Sequence, residues 1–494
     1  MSDASATEHS SLADLLFAEP ADGAADAESL LVHAGGRDHS LGAVRARATD
    51  VAEALATMGV TAGAAVGVML PNDVDLVATL FGVWHAGGAY VPLNPRTTAN
   101  ELVRVLDTVD PAAIVTTDEH AHRFDGPPVL VIGEPLTTRP GEAGSRRFGP
   151  DVALVQFTSG TTGRPKAVLL DHSGVLTLLD NVVSTLRAGS TTRKPPMPNL
   201  VPVSLSLWAG IYQVLFARRV GAPVVVMDGF DPVEFAGLVA RFGIRSTVLP
   251  PAAMAMLNDD ERVTSLAPLR YVRSITAPLS PLQARRFRDR FGISILNCYG
   301  QTEIGGEIIG WSGADSKAHG DDKLGAVGRP HAGVEVRSDP STGELQVRTP
   351  ALSAGYADGG DLADRLTSDG WFRTGDVGRI DDEGFVWIEG RLSDMINRGG
   401  LKVFPSEVEE VLRLAPDVAD VAVAGVPDDR LGEVPWAFVV PVGADPDMER
   451  LATLCRQHLV PYKIPVRYEV VEALPRNEVG KVLAHELVAR AAAG

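Results

Sequence analysis

The densest run of phosphate-binding residue types in the chain spans residues 157–166, with the sequence FTSGTTGRPK. Glycines and hydroxyl side chains can place backbone N–H groups and hydroxyls around phosphate oxygens, and Lys166 adds a positive charge. The run differs from the Walker A pattern, which needs Gly, four residues and then Gly-Lys-Ser/Thr. Apolar segments at 152–157 and 167–170 predict a strand on each side. Taken alone, the run fits either a phosphate-binding loop or a flexible Ser/Thr/Gly hairpin.

Four further motifs follow this loop in order along the chain. They are YGQTE at 299–303, TGD at 374–376, GR at 390–391 and PRNEVGK at 475–481. Supporting segments are AGGAYVPL at 86–93, GELQVRTPALSAGY at 343–356 and INRGGLKVFPSE at 396–407. The ordered series resembles that of the adenylate-forming (AMP-binding) superfamily, most closely its acyl-CoA synthetases. This superfamily also includes nonribosomal-peptide adenylation domains and luciferases, and the resemblance covers nearly the whole chain.

The resemblance implies a two-step reaction that uses ATP, Mg²⁺ and coenzyme A. A carboxylate attacks the α-phosphorus of ATP and gives an acyl-adenylate and pyrophosphate; a thiol, usually that of CoA, then displaces AMP. Phosphoryl chemistry of this kind depends on positioning and charge neutralisation more than on a covalent nucleophile. The implied partners are therefore a small-molecule carboxylic acid and CoA.

The resemblance also implies which residues carry the reaction. Lys481 would stabilise the charge that develops between the carboxylate and the α-phosphate, and Glu303 and Arg391 complete the implied catalytic set. Thr161 and Glu303 would bind magnesium, because this hard cation takes oxygen ligands. The implied nucleotide-binding residues are Thr158, Ser159, Gly160, Thr161, Thr162, Gly163, Lys166, Ala277, Pro278, Asn297, Tyr299, Gly300, Gln301, Thr302, Asp376, Arg391 and Lys481.

Each of these residues also has an ordinary structural explanation. Lys481 alone would be an exposed lysine, Asp376 a turn former and Glu303 a charge at a helix start. The five motifs in one order favour the functional interpretation. In that interpretation, Asp376 accepts the ribose hydroxyls and Tyr299 lies against the adenine.

The segments expected to contact the acid depart from the family pattern. Leu207 stands where many acyl-CoA synthetases have a His, and Trp208 stands where amino-acid-activating domains keep an Asp. The missing carboxylate argues against an amino-acid substrate, because a buried ammonium without a partner is costly. Ile275 and Thr276 replace two glycines that allow close approach of backbone and substrate. With Gly305, these residues predict an apolar acyl pocket for a bulky, uncharged acid; the alternative is that they are ordinary core residues.

The resemblance assigns the second half-reaction to the C-terminal region. Gly399 and Gly400 would approach the pantetheine thiol, and Arg398 and Lys402 would attract the anionic CoA nucleotide. Family members rotate their C-terminal domain about a residue two positions after Gly-Arg, commonly Asp or Lys. That residue is Ser393 in this chain, and a small hydroxyl residue can absorb the dihedral change of a hinge.

The elements that must position these residues alternate between helix and strand. Strand–helix alternation implies parallel sheets covered by helices, whereas the short strands after about residue 325 imply a small β-barrel or antiparallel sheet. The predicted helices are at 44–58, 75–86, 235–242, 405–414 and 448–459, and the predicted strands are at 66–70, 87–93, 220–226, 246–249, 334–337, 343–348, 385–389, 418–426 and 436–441.

The predicted fold class is α/β with a large N-terminal domain and a smaller, mobile α+β C-terminal domain. Residues 1–390 form the predicted N-terminal AMP-binding domain, with two parallel α/β sheet subdomains at about 12–325 and a small β-barrel at about 326–390. Residues 391–394 form the predicted hinge, and residues 395–494 the C-terminal domain.

Composition excludes several other classes of protein. The net charge of −18 argues against nucleic acid or an anionic membrane as a partner. The two cysteines are too few for a disulfide framework and fit a reducing compartment. No apolar run approaches the ~20 residues of a membrane span. The polar start lacks a secretory pattern, so the prediction is a cytoplasmic protein.

The expected function is an ATP-dependent acyl-CoA ligase for a hydrophobic acid. Two enzymatic alternatives are a stand-alone adenylating enzyme that loads a carrier protein and a member that performs one half-reaction, thioester formation from a preformed acyl-adenylate. The non-enzymatic alternative is a catalytically silent nucleotide-binding homologue, against which the intact Lys481, Glu303 and Asp376 argue. The identity of the acid, the thiol acceptor and the oligomeric state stay open.

Overall fold

The computed structural model describes residues 10–18, 27–158, 166–187, 196–277, 279, 281–320, 322–323, 325–360, 362–476 and 482–493. They form two compact units, the first from residues up to Glu335 with Arg348–Gly370 and the second from Val336–Val347 with the chain from Trp371 onward. Seven predicted site residues lie outside the described residues. They are Ser159, Gly160, Thr161, Thr162, Gly163, Pro278 and Lys481.

Helices of the described residues occur in both units. The α-helices are α1 Asp14–Phe17, α2 Leu41–Thr57, α3 Val74–His85, α4 Ala99–Val109, α5 Asp118–Ala121, α6 His172–Arg187, α7 Trp208–Val220, α8 Pro232–Phe242, α9 Pro251–Asp259, α10 Pro281–Phe291, α11 Gly313–His319, α12 Pro405–Leu412, α13 Met448–His458 and α14 Ala484–Ala493. Short 3-10 helices lie at Thr302–Ile304, Leu362–Arg365, Leu392–Asp394 and Pro461–Lys463. None of these described helices is long and apolar enough to cross a bilayer.

The strands are mostly short. They are β1 Leu30–Ala34, β2 Arg37–Ser40, β3 Ala65–Met69, β4 Ala89–Pro92, β5 Ala113–Thr116, β6 Val129–Val131, β7 Thr137–Arg139, β8 Val152–Thr158, β9 Lys166–Asp171, β10 Asn199–Val201, β11 Val224–Val226, β12 Ser246–Leu249, β13 Tyr271–Ser274, β14 Ser294–Asn297, β15 Tyr299–Gln301, β16 Gly306–Gly310, β17 Arg329–Pro330, β18 Glu335–Ser338, β19 Glu344–Arg348, β20 Gly355–Tyr356, β21 Phe372–Ile380, β22 Val386–Arg391, β23 Ile396–Arg398, β24 Leu401–Val403, β25 Val418–Asp428, β26 Gly432–Pro441 and β27 Arg467–Val470.

The largest sheet of the first unit has the strand order β20-β9-β8-β4-β3-β5-β6-β7. Its centre, from β8 to β6, is parallel, and β9, β20 and β7 join in antiparallel pairs. Strand β3 is buried at every position, as expected for an apolar run covered on both faces. Helix α3 begins where the Asp73 side chain accepts a hydrogen bond from Leu76 N, and its residues 76–84 are buried. The predicted parallel sheet with covering helices is therefore confirmed.

A second, parallel sheet of the first unit has the order β12-β13-β14. Helices α8, α9 and α10 supply buried side chains to its core, among them Phe235, Met254 and Phe287. Ser274 and Asn297, the last residues of β13 and β14, are direct neighbours. Ligands of open α/β sheets bind outside the carboxyl ends of the strands. The loop after Ser274 and the motif after Asn297 leave the sheet at this edge.

The second unit contains two sheets, with the orders β18-β19-β21-β22 and β24-β23-β26-β25. Strands β25 and β26 form an antiparallel hairpin, and β27 joins β26 in parallel. The strands predicted as a small β-barrel or antiparallel sheet thus form a four-stranded sheet of this unit. The predicted boundary at 391–394 stays a prediction.

One predicted strand is wrong in part. The apolar segment at 220–226 was expected to be a strand, but helix α7 continues to Val220 and the strand begins at Val224. Gly221 ends the helix with a positive φ of 75°, which glycine adopts without strain. The apolar residues before and after this glycine thus belong to different elements.

Candidate active site

Strands β8 and β9 hold the two ends of the Ser/Thr/Gly loop. They pair in antiparallel fashion, with Thr158 opposite Lys166. The Thr158 hydroxyl donates to the Lys166 carbonyl oxygen at 3.4 Å. The flanking strands were predicted correctly, so Thr158 and Lys166, the described residues on either side of 159–165, pair in a sheet.

Two predicted site residues, Lys166 and Glu303, lie near Tyr356. The Lys166 ammonium lies 5.0 Å from the centroid of the Tyr356 ring, a cation–π distance. Burial raises the pKa of Tyr356, and the nearby Glu303 carboxylate raises it further. Arg365 opposes this effect, and its Nη1 lies 4.0 Å from Glu303 Oε1. The structure therefore places Lys166 and Glu303 near the same side chain, Tyr356, although 137 positions separate them in the sequence (303 − 166).

Sequence reasoning did not assign roles to Tyr356 and Arg365. Tyr356 ends the segment 343–356 that supports the family resemblance, so its position was a usable signal. It lies in β20, which pairs with β9 and places Tyr356 opposite Val168. Arg365 ends a 3-10 helix, and its sequence context carries no such signal.

Glu303 occupies a 3-10 turn, Thr302–Ile304. Its carbonyl oxygen accepts a hydrogen bond from Ser353 N at 2.8 Å, and Gly305 follows with a positive φ of 86°. The Glu303 side chain is only 12% exposed. The turn therefore fixes the backbone of Glu303, whose carboxylate is largely buried.

The strand before this turn carries three predicted nucleotide contacts. The Gln301 amide donates to the Tyr299 hydroxyl at 3.0 Å. A Cβ on Gly300 would lie 1.7 Å from the Gly306 carbonyl oxygen, so no other residue fits there. Asn297 ends β14 directly before this segment, and Ala277 lies in the loop after β13. The YGQTE motif is thus a tight antiparallel turn against β16.

Glu303 is the one predicted magnesium ligand that lies among the described residues. None of them forms a group of three or more His, Cys, Asp or Glu side chains that could hold a metal. Glu303 offers one largely buried carboxylate. Mg²⁺ commonly takes one or two carboxylates and completes its shell with substrate phosphates and water. Glu303 would therefore hold Mg²⁺ when it is bound, and the second predicted ligand, Thr161, lies outside the described residues.

The predicted acyl-pocket residues Trp208 and Gly305 are in contact. Trp208 is the first residue of α7 and is buried, and its Nε1 donates to the Gly305 carbonyl oxygen at 2.9 Å. Its ring packs edge-on against Tyr212, with centroids 5.8 Å apart. Leu207, in contrast, is 41% exposed and forms the N-cap of α7. Trp208 thus forms a wall against Gly305, and Leu207 does not share its burial.

The loop that replaces the two family glycines keeps a glycine-like backbone. Thr276 has a φ of 71°, a left-handed conformation that is a genuine outlier for a β-branched residue. Ile275 is half-buried, and its N–H donates to the Leu249 carbonyl oxygen at 3.4 Å. Such strain costs about 1–3 kcal/mol and persists where the surrounding structure imposes it. Thr276 therefore changes the side chain of this loop while the backbone stays in a glycine conformation.

A buried charged cluster lies next to this wall and was not predicted. Arg273 in β13 forms an ion pair with Glu307 in β16, and His331 Nε2 lies 3.2 Å from Glu307 Oε1. Burial alone would raise the pKa of Glu307, but Arg273 and His331 together lower it to about 2. Glu307 is therefore an ionised carboxylate inside the protein. The three residues are far apart in the sequence, so no local sequence pattern indicated the cluster.

In the second unit, Asp376 and Arg391 form an ion pair. Strands β21 and β22 place them opposite each other, and Arg391 Nε lies 2.7 Å from Asp376 Oδ1. The Asp376 side chain is 5% exposed and that of Arg391 is 46% exposed. The alternative of Asp376 as a surface turn former is wrong, because Asp376 is buried in the middle of a nine-residue strand.

The predicted CoA-binding residues form a tight hairpin between β23 and β24. Gly399 and Gly400 both have positive φ, 60° and 90°, as a two-residue hairpin turn requires. Arg398 Nη1 donates to the Tyr462 carbonyl oxygen at 2.7 Å, and Lys402 Nζ donates to that of Thr342 at 2.7 Å. Both cations therefore support the backbone of the second unit in addition to any role with CoA.

The predicted hinge residue lies in the 3-10 segment Leu392–Asp394 between β22 and β23. Ser393 is exposed, and its hydroxyl donates to Asp394 Oδ1 at 2.9 Å. The hinge stays a prediction.

Comparison with known families decides the class of the protein. Residues 17–357 match the AMP-binding enzyme family, and residues 407–481 match the AMP-binding enzyme C-terminal domain. The chain belongs to the AMP-binding enzyme family. The resemblance predicted from the ordered motifs is confirmed, and the chain is an AMP-forming acid–thiol ligase by class.

Individual relatives match this chain over almost their whole length. The indoleacetate–CoA ligase of Aromatoleum aromaticum is 31% identical over 92% of this chain and 94% of its own. ATP-bound MatB from Rhodopseudomonas palustris superposes with a TM-score of 0.83 at 27% identity, over 98% of this chain and 99% of that one. The amide bond synthetase McbA from Marinactinospora thermotolerans gives a TM-score of 0.82 at 29% identity, over 97% and 99%. The predicted fold class is thereby confirmed.

Replacing the strained threonine of this AMP-binding enzyme should stabilise it. Glycine adopts a φ of 71° without strain, so Thr276→Gly should raise the free energy of unfolding by about 1 kcal/mol, after the entropic cost of glycine in the unfolded chain is subtracted. Urea denaturation measures this change. Thr276→Ala is the control, because alanine keeps the penalty of a positive φ. Equal stability of the Gly and Ala variants would show that this backbone is not strained.

Asp376→Asn should weaken binding of AMP and ATP alike, about 10- to 100-fold, because charge-assisted hydrogen bonds contribute about 1.5–3 kcal/mol. Calorimetric titration with AMP measures the loss. The buried pair with Arg391 makes Asn preferable to Ala, since Asn keeps an acceptor for the half-exposed guanidinium. Asp445→Asn, in an exposed loop of the same unit, is the control. Unchanged AMP affinity in Asp376→Asn would remove this residue from the nucleotide site.

Proposed function

We propose that this enzyme is an ATP-dependent acyl-CoA ligase that activates a hydrophobic carboxylic acid as its acyl-adenylate and transfers the acyl group to CoA. The observation that carries the proposal is that Lys166 and Glu303 both lie near Tyr356. A cation at the end of a Gly/Ser/Thr loop and a largely buried carboxylate are the groups that polyphosphate and its magnesium require.

The first half-reaction follows from these groups. The acid's carboxylate oxygen attacks the α-phosphorus, the bond to the β-phosphate bridging oxygen breaks, and pyrophosphate leaves. Lys166 would neutralise charge on the departing phosphates, and Thr302 would contact the α-phosphate from the turn that also carries Glu303. Bound Mg²⁺ supplies further neutralisation of phosphate charge.

The second half-reaction is assigned to the hairpin of Gly399 and Gly400. The CoA sulfur attacks the acyl carbonyl carbon, and the bond to the AMP oxygen breaks. Two glycines in a two-residue turn leave backbone without side chains, which allows close approach of a pantetheine chain. Arg398 and Lys402 supply positive charge beside this turn.

The acid is proposed to be hydrophobic because Trp208 forms the wall at Gly305. Burying an acyl group against an apolar wall stabilises by about 25 cal/mol per Å² of apolar area. The match to an indoleacetate–CoA ligase supports an acid with a bulky ring. No carboxylate at Trp208 is available to bind an α-ammonium, so amino acids are disfavoured.

The test separates activation from transfer. Acid-dependent ATP–pyrophosphate exchange should occur with hydrophobic acids and not with acetate or amino acids. Acyl transfer from supplied acyl-adenylate is then measured as a thioester with CoA or a carrier-protein thiol and as an amide with an amine; the amine is included because McbA is an amide bond synthetase. CoA should be the fastest acceptor.

Each other outcome identifies an alternative. Exchange without CoA turnover but with carrier-protein acylation indicates a carrier-loading enzyme, and amide formation in place of thioester indicates an amide synthetase. Thioester formation without exchange indicates an enzyme of one half-reaction. Absence of both steps with intact AMP binding would overturn the proposal.

A further inference from the structure

The buried cluster around Glu307 extends to the Tyr212 hydroxyl and to the Cys298 thiol. Burial raises the pKa of Tyr212, and the Glu307 carboxylate raises it further. Cys298 Sγ donates to the Ser274 carbonyl oxygen at 3.1 Å, and Glu307 also raises the pKa of this half-buried thiol. Arg273, the residue before Ser274, forms the ion pair with Glu307. Glu307, Arg273, His331, Tyr212 and Cys298 are therefore one group, called here the polar end group.

The one hydroxyl of the polar end group has no hydrogen-bond partner among the described residues. It is the hydroxyl of Tyr212, which is 7% exposed. A buried polar atom without a partner carries its full desolvation penalty, and nearly all such atoms in native proteins are satisfied. A ligand that supplies the missing partner would therefore gain affinity at this place.

Two elements lead from the reaction site to the polar end group. Trp208 contacts Gly305, two residues after Glu303, and a Cβ on Gly306 would lie 2.7 Å from Trp208 Nε1. One helical turn after Trp208 on the same face of α7 lies Tyr212, and directly after Gly306 lies Glu307. An acid bound with its carboxylate at the Glu303 end would extend along Trp208 toward Tyr212.

We propose that the polar end group determines the specificity of the acid site and selects a bulky apolar acid that carries a hydroxyl group remote from its carboxylate. The inference rests on the proposed function and narrows its substrate class. Tyr212 is the specificity-determining residue, and Arg273 and His331 are positioning residues that hold Glu307.

The chemistry of the polar end group favours a hydroxyl over other substituents. Tyr212 stays neutral, so it offers one O–H donor and an acceptor oxygen. Glu307 is ionised, and its negative charge would repel a second carboxylate on the acid. A methyl group would leave the Tyr212 hydroxyl unpaired. A site built to bind a substrate hydroxyl discriminates strongly against the analogue that lacks it.

The test uses matched acids and matched variants. Acid-dependent ATP–pyrophosphate exchange is measured for benzoate, phenylacetate and cinnamate beside their 3- and 4-hydroxy derivatives. In the wild type, kcat/KM should be at least about tenfold higher for a hydroxylated acid than for its parent. Tyr212→Phe should abolish this preference by raising the KM of the hydroxylated acid and should leave the KM of ATP unchanged.

Tyr90→Phe is the matched control. Tyr90 is fully buried in β4, its hydroxyl also lacks a partner among the described residues, and it lies in the large sheet. Both substitutions remove an unpartnered hydroxyl, so neither should lower the melting temperature. Tyr90→Phe should keep the acid preference of the wild type. Thermal stabilisation of the wild type by each acid pair is a second measurement that does not depend on any variant.

The outcomes separate the two proposals. Equal exchange with parent and hydroxylated acids, or a preference that survives in Tyr212→Phe, overturns the polar end group as a specificity device while the ligase function stands. Exchange with none of these acids and with no other hydrophobic acid, and stabilisation by none of them, overturns the proposed function and this inference together.

Discussion

Glu307→Ala should lower the free energy of unfolding by about 3–5 kcal/mol, because it leaves the Arg273 guanidinium buried without its counter-charge. Both side chains of the pair are nearly buried, 14% exposed for Arg273 and 12% for Glu307, so water screens the loss only weakly. His331 also loses its contact with the carboxylate. Urea denaturation followed by tryptophan fluorescence measures the change.

Two further variants give this prediction its control. Asp259→Ala removes an ion pair with Arg286 whose side chains are 63% and 64% exposed, and it should change stability little. The double variant Arg273→Met with Glu307→Gln removes both charges and should recover most of the loss. A Glu307→Ala protein as stable as Asp259→Ala would contradict the buried ion pair.

The dependence of stability on pH provides a second test of the Arg273–Glu307 ion pair. The pKa of Glu307 is lowered from an ordinary value of 4.5 to about 2. A carboxyl group whose pKa is lower in the folded protein than in the unfolded chain stabilises the fold fully at pH values above its unfolded pKa. This stabilisation is lost as the pH falls through the folded pKa. The difference in melting temperature between wild type and Glu307→Gln should therefore be constant above about pH 5 and should narrow below pH 4.5.

Local patterns were sufficient for the elements whose partners are close in sequence. The strand at 246–249 has the predicted bounds, and the strands on each side of the Ser/Thr/Gly loop pair as expected. Alternation of strand and helix also indicated the parallel sheets. Each of these inferences needed only apolar periodicity and turn residues, which a single sequence contains.

Burial that arises from distant pairing was not visible in the sequence. The motif Thr-Gly-Asp has the composition of a turn, yet Asp376 lies inside β21 opposite Arg391. The Thr374 hydroxyl donates to the Leu345 carbonyl oxygen at 2.6 Å and accepts from Asp376 N at 3.1 Å. These bonds let polar residues occupy a buried strand, and the partners Leu345 and Arg391 come from the neighbouring strands β19 and β22.

The charged cluster escaped prediction for the same reason. Arg273 precedes the loop at 274–277, Glu307 follows the YGQTE turn, and His331 follows β17, and each fits an exposed position when considered singly. Their side chains come together only in the folded protein. The acid wall was predicted as apolar from Trp208, but the hydroxyl of Tyr212 one turn later becomes informative only once its burial is known.

Lys481→Ala should reduce acid-dependent AMP formation by about 30- to 1,000-fold, which corresponds to about 2–4 kcal/mol of transition-state stabilisation. Lys481 lies outside the described residues, so the prediction rests on its place in the motif PRNEVGK within a family match that reaches residue 481. Its ammonium would neutralise charge that develops between the carboxylate and the α-phosphate. That charge arises only in the first half-reaction, so thioester formation from supplied acyl-adenylate and CoA should proceed at close to the wild-type rate.

The comparison of the two half-reactions is what makes this prediction specific. Lys463→Ala is the control for loss of one positive charge from the second unit, because Lys463 pairs with Glu407 at 2.6 Å and has no predicted role in either step. It should leave both rates near those of the wild type. Lys481→Ala that slows both half-reactions equally would indicate a general defect of the C-terminal region rather than loss of a group that acts on the α-phosphate.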